Sequence, residues 1–264
     1  YLANALSKAG KKVGIATRGY KGKKSNSMPY ILDETSDAQD YGDEAVYLSR
    51  HSNAIVCVCS QRLKAANLLF ERGVDVILSD DGLQHFALKR DLELVVVSSD
   101  RAFGNRRLLP AGPLREGLDR LDTIDLICLN GKKIDEDLHL ENTIGFEIEN
   151  KTAKNIHNGQ IRSIDAFKNH DVNLIAGIGD PNVLVQKLIK LGININHIKV
   201  ADHGAIDSSE IKNLQGTSLF LTTKDLVKYS RDDLPKETWE LIPEMMIDQS
   251  KEQSMMNKIF EIIQ

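Results

Sequence analysis

VDVILSDDGLQHFALKR, residues 74–90, decides the fold. An apolar V-I-L run after Val74-Asp75 stops at two adjacent carboxylates, Asp80 and Asp81, followed by a glycine and the pair Gln84-His85. A parallel strand covered on both faces reads as a continuous apolar run. Open α/β sheets place their ligands beyond the carboxyl ends of such strands. Adjacent aspartates repel each other, and paired hard oxygens at a strand end suit Mg²⁺ on a nucleotide phosphate. Taken as a dipeptide, Asp-Asp before glycine is read equally well as an ordinary turn leaving a strand.

Working outward, LELVVV at 92–97 is a second strand, and it leads into Phe103-Gly104-Asn105 and then RRLLPAGPLRE at 106–116. Pro110, Gly112 and Pro113 bend and stiffen that backbone. Arg106, Arg107 and Arg115 surround it with guanidinium groups, which are suited to bidentate phosphate recognition. Strands are expected at VGIAT (13–17), AIVCVC (54–59), VDVILS (74–79), LELVVV and DLICLN (125–130). Helices are expected near 44–49 and over 61–72. This alternation predicts a mostly parallel, doubly wound α/β sheet over residues 1–145.

Residues 146–165 differ. Two extended runs flank His157-Asn158-Gly159, an Asn-Gly turn that favours a β-hairpin, expected as a linker between lobes. A smaller α/β lobe is expected over 166–250. It holds helices at 183–191 and 208–214 and strands at 195–200 and 218–222. A terminal helix at 251–264 is expected to pack on the first lobe.

DDGLQH, GNRRLLPAGPLRE and the DGLDRLDTIDL-like continuation (117–127 reads GLDRLDTIDLI) closely resemble one family, the tetraacyldisaccharide 4'-kinases of lipid A synthesis in Gram-negative bacteria. The resemblance runs through nearly the whole chain. It implies a P-loop kinase-like fold using ATP and Mg²⁺ to phosphorylate the 4'-hydroxyl of tetraacyldisaccharide 1-phosphate, giving lipid IVA. It also implies work at the cytoplasmic face of the bacterial inner membrane.

The site residues follow from that resemblance. Spacing alone makes Gly42-Asp43-Glu44 an acidic helix start, whereas the resemblance makes Asp43 the catalytic base and Glu44 a metal-site residue. His203, in Asp202-His203-Gly204, would pair with Asp43; many relatives have Asp-His-His here. Asp80 and Asp81 would hold Mg²⁺. Gln84 and His85 would touch nucleotide, or else cap and pack. Arg18 and Arg62 are candidate ATP contacts and Arg115 a substrate contact, each of them equally readable as a solvated surface arginine. Thr222-Thr223-Lys224-Asp225 resembles a family T-x-K-D segment and is assigned no catalytic role. Gly177 and Gly179 read as a tight strand-to-helix turn.

Composition agrees with this reading. The 264 residues are 41% hydrophobic with a net charge of −4, so bulk charge implies no polyanion surface and no nucleic acid partner. The three cysteines, with Cys57 and Cys59 in a strand-like run, point to core packing in a reducing compartment. No stretch approaches the roughly 18 apolar residues that span a bilayer. A monomer is expected.

The chain opens at Tyr1 inside what reads as a helix ending near Gly10, and a helix feeding a parallel strand implies an earlier strand. No G-x-x-x-x-G-K-[ST] phosphate loop occurs here, although the family carries one just upstream of this helix. The expectation is therefore an N-terminally truncated chain, catalytically inactive as it stands and weakened by a missing strand. The rival enzyme is a GTPase-like metallochaperone. It would need a guanine-reading N-K-x-D, and Asn130-Gly131-Lys132-Lys133 lacks the aspartate.

Overall fold

The computed structural model describes residues 1–24, 27–131, 142–200, 204–214 and 216–263. The chain forms two compact units, Tyr1–Gln84 with Asn150–Pro243, and His85–Glu149 with Glu244–Gln264.

The first unit begins with α1 (Leu2–Lys8), β1 (Val13–Thr17), β2 (Tyr30–Ile31), α2 (Ala38–Tyr41), α3 (Asp43–His51), β3 (Ile55–Val58), α4 (Arg62–Glu71) and β4 (Val76–Ser79). The sheet order is β2-β3-β1-β4, with β1 parallel to both β3 and β4 and only the short edge strand β2 antiparallel. Ala16 is opposite Cys57 on one side and Ser79 on the other, so the ends of β1, β3 and β4 lie side by side. The central strand VGIAT is buried at every position, as a strand covered on both faces must be. Helix α4 packs on it through Ala65 and Leu69, in a core with Ala16, Cys57 and Cys59. A Cβ on Gly14 would meet the Leu69 side chain at 3.0 Å, so the absent side chain lets helix and strand approach.

In the second unit, β5 (Leu94–Ser98), β6 (Leu126–Asn130) and β7 (Thr143–Asn155), the last running on into the first unit, order as β5-β6-β7, all parallel. The five strands expected over residues 1–145 are all present, β1, β3 and β4 in the first unit and β5 and β6 in the second, and each set is parallel. β7 then pairs antiparallel with β8 (Ile161–Ser163), giving the expected hairpin. Its loop differs from a two-residue Asn-Gly turn, because only Gly159 has positive φ. The Asn155 side chain closes the loop instead, accepting from the backbone N–H of His157 at 2.9 Å and Asn158 at 3.1 Å.

The remaining elements are β9 (Asp171–Ile175), α5 (Pro181–Lys190), β10 (Asn194–Ile198), α6 (Ser208–Lys212), β11 (Ser218–Thr222), α7 (Thr223–Leu226), β12 (Thr238–Ile247) and α8 (Gln249–Ile262). In the first unit β10-β9-β11-β12 are successive parallel neighbours. Phe167, Phe220 and Trp239 form its aromatic core, with edge-to-face contacts at 4.8 and 5.1 Å. In the second unit α8 buries Met255, Met256 and Ile259, and Lys258 Nζ donates to the Asp125 carbonyl at 2.7 Å. The arginine-rich loop after β5 is tied by Asn105 Nδ2 to the Ala111 carbonyl at 2.8 Å and by a Leu108–Leu114 bridge.

Candidate active site

Asp43 is held by backbone geometry as much as by its helix. Gly42 has φ +88°, and a Cβ there would lie 2.5 Å from the Tyr20 carbonyl oxygen. Only glycine brings the chain this close to the loop leaving β1. That loop is fixed to α2 in turn, since Lys23 and Lys24 donate backbone N–H to the Gln39 and Asp40 carbonyls at 2.9 and 2.7 Å. Gly42 caps α3, so Asp43 and Glu44 open the helix where unpaired N–H groups favour anions. Asp43 is only 6% exposed, whereas Glu44 reaches outward.

Two lysines from the later part of the chain meet these carboxylates. Lys224 Nζ lies 3.1 Å from Glu44 Oε1 and 4.0 Å from Asp43 Oδ2. Lys228 Nζ lies 3.7 Å from Asp43 Oδ2, 2.7 Å from Asp225 Oδ1 and 3.0 Å from the Gly204 carbonyl. Asp225 is fully buried. It accepts from Gly177 N–H at 2.8 Å and from the Thr222 hydroxyl at 2.6 Å, and its own N–H donates to Thr222 Oγ1. The T-T-K-D segment is therefore a self-capped turn of helix that aims Lys224 and Lys228 at α3. These contacts bring the segment, to which the sequence reading assigned no catalytic role, up to Asp43 and Glu44. Thr-x-x-Asp was a legible cap signal; Lys228 carried no signal in the sequence.

At the strand ends, Thr17 Oγ1 donates to Asp80 Oδ2 at 2.9 Å. Burial pushes the Asp80 carboxyl up, opposed by the Thr17 hydrogen bond, and the neighbouring charge of Glu44 raises it further. Asp81 follows in a left-handed conformation, φ +46°, and is exposed. Arg62 is 3% exposed and so is no solvated surface arginine. Its Nη1 and Nη2 donate to the carbonyls of Cys59 at 3.1 Å and Asp80 at 2.9 Å, joining the ends of β3 and β4. Arg18 is exposed and close enough for its charge to act on Arg62. Gln84 is exposed at the end of the first unit, while His85 and Arg115 belong to the second. His203 lies outside the described residues, although the next residue, Gly204, shares Lys228 with Asp43.

The first unit thus gathers Asp43, Glu44 and Asp80 with Thr17, Arg62, Lys224 and Lys228. Among the described residues no group of three or more His, Cys, Asp or Glu is already arranged as a metal cage. Mg²⁺ commonly takes one or two protein carboxylates with water and phosphate oxygens instead. Burial chiefly, and then Glu44 and Asp81, disfavour the charged form of Asp80; a cation beside it would offset both, so the oxygen donors fit.

A mostly parallel sheet with acidic strand ends, a buried carboxylate beside lysines and a glycine-fixed loop suit an α/β protein that handles phosphate at its strand ends. The family model "Tetraacyldisaccharide-1-P 4'-kinase" matches residues 1–261. The tetraacyldisaccharide 4'-kinase of Aliivibrio salmonicida is 37% identical over 266 residues, covering 99% of this chain and 76% of its own length. That of Vibrio cholerae serotype O1 (strain El Tor Inaba N16961) is 35% identical over 267 residues, covering 100% of this chain and 77% of its own. The crystal structure described as "apo" form LpxK from Aquifex aeolicus in complex with ATP superposes with a TM-score of 0.79 at 26% identity, covering 100% of this chain and 82% of that one. The chain belongs to the tetraacyldisaccharide 1-phosphate 4'-kinase family and is a phosphotransferase. The GTPase-like alternative falls with that membership.

Proposed function

We propose that this protein transfers the γ-phosphoryl group of ATP to the 4'-hydroxyl of a tetraacylated glucosamine disaccharide 1-phosphate, giving lipid IVA. The observation that carries the mechanism is Asp43, buried at the start of α3 and flanked by two lysines from the α7 region. Phosphoryl transfer is catalysed by positioning and charge neutralisation, with a carboxylate to take the hydroxyl proton. Asp43 accepts that proton, and His203 pairs with and orients it. Lys224 and Lys228 hold the carboxylates in place and offset charge developing beside them. Asp80, Asp81 and Glu44 would hold Mg²⁺, which when bound neutralises phosphate charge. Arg18, Gln84 and His85 contact the nucleotide and Arg115 the lipid substrate. Arg62 supports the site by fixing the two strand ends.

On this reading residues 1–145 supply the base and metal ligands, the hairpin at 146–165 links, and residues 166–250 supply His203 and the lysines. Exposing acyl chains to water costs about 0.8 kcal/mol per CH₂, so the enzyme works, as a monomer, at a membrane surface. That surface is the cytoplasmic face of the inner membrane, where ATP is available. Among the described residues no helix is long and apolar enough to cross a membrane. The test, made on the full-length protein, is ATP-dependent phosphorylation of tetraacyldisaccharide 1-phosphate in detergent micelles. Asp43→Ala should lower kcat by about 10²–10⁴-fold with ATP binding retained. Full activity in that variant would remove Asp43 as the base.

A further inference from the structure

A cavity of about 420 Å³ opens at the other end of α3, with Arg50, Lys154, Tyr229, Ser230, Arg231 and Glu240 on its walls. A rise of about 1.5 Å per residue puts Arg50 roughly 10 Å along the helix from Asp43, so this is a separate place from the base. All of its lining lies in the first unit. Three cations face the space against one carboxylate. Arg50 spends one weak contact on the Ser36 carbonyl at 3.4 Å, and Arg231 donates to the His157 carbonyl. Each guanidinium has five N–H donors, and the bonds they make among the described residues leave most for a ligand. Lys154 is exposed, and its charge acts on both Glu240 and His51. Glu240 is only 9% exposed and has His51 Nε2 at 3.7 Å. A buried carboxylate accepts hydrogen bonds and needs donors to do so.

We propose that this cavity binds a small phosphorylated polyol, with the phosphate on Arg50, Lys154 and Arg231 and a hydroxyl donating to Glu240. A phosphate monoester carries a charge of about −1.5 to −2 near neutrality and three acceptor oxygens, which matches three cations better than a single carboxylate would. Tyr229 and Leu226 form an apolar flank for the carbon skeleton. The same segment links the two sites. Lys224 and Lys228 reach Glu44 and Asp43, while Leu226 and Tyr229 between and beside them face the cavity. Occupancy therefore bears on the segment that holds the base.

Calorimetric titration with glycerol 3-phosphate tests this, with inorganic phosphate as the second probe. The wild-type protein should bind glycerol 3-phosphate at one site. Lys154→Ala/Arg231→Ala, at two exposed positions, should weaken both probes at least about 10-fold. Glu240→Gln should weaken glycerol 3-phosphate and leave inorganic phosphate unchanged, a split that a misfolded variant would not produce. Arg18→Ala should bind both as the wild type does. No binding by the wild type, or equal affinity in the double variant, overturns the proposal. Loss in Arg18→Ala also overturns it, by placing the ligand at the strand ends.

Discussion

Lys224 and Lys228 both approach Asp43, yet their surroundings assign them different energetic weight. Glu44, the nearer partner of Lys224, is 49% exposed at its side chain, and such pairs contribute about 0–1 kcal/mol. Lys228 and Asp225 are 7% and 1% exposed, and breaking a buried pair costs about 3–5 kcal/mol because a charge is left behind. Lys224→Met should therefore leave the melting temperature nearly unchanged while lowering kcat. Lys228→Met should unfold at markedly lower denaturant concentration. Equal unfolding midpoints for the two variants would contradict this division.

Asp80 gives a prediction with a definite sign. Its carboxyl is raised from 3.8, first by burial and then by neighbouring carboxylates, against the Thr17 hydrogen bond and the Arg62 charge. An acid with a raised folded value binds more protons folded than unfolded. Its contribution to stability is full below 3.8 and is lost as pH rises through the raised value. Wherever Asp80 is ionised without a divalent cation, it is thus a cost. Asp80→Asn should raise the metal-free melting temperature by about 2–4 °C for each kcal/mol recovered and should abolish activity. A melting temperature that falls at pH 7 and rises at pH 3 would reverse the sign.

At the scale of elements, the turn of α7 is short and depends on its cap. Thr222 Oγ1 and the Asp225 carboxylate hold each other and the Asp225 N–H. Removing such a cap costs about 1 kcal/mol. Thr222→Ala should lower stability by that amount and lower kcat as well, because Lys224 loses its aim. Thr222→Ser should restore both, and rescue of stability alone would detach the cap from catalysis. Cys57 and Cys128 belong to this scale too. Burial pushes both thiols up to about 11, so they act as core residues rather than nucleophiles.

At the scale of the whole molecule, a ligand that binds only the folded state stabilises it by mass action, about 2.7 kcal/mol at a hundredfold excess over Kd. ATP with Mg²⁺ should raise the melting temperature of the wild type, and ATP without the cation should raise it less. In Asp80→Asn the two increments should be equal. A cation-dependent increment that survives in that variant would move Mg²⁺ away from β4.

The sequence by itself determined the strand-helix alternation, the acidic end of β4, the glycine before Asp43, the hairpin and the family, because each is written in residues close together along the chain. An apolar run, a cap or a turn is a local matter of backbone sterics and periodicity. Arg62 read equally as an ATP contact and as a solvated surface arginine, and the fold removed the second reading by enclosing it between two strand ends. Lys224 meets Glu44 across 180 positions of sequence, and nothing in the spacing of either residue names the other. Only the tertiary structure decided which cations face the base, because contact between distant residues is fixed by packing and leaves no local pattern.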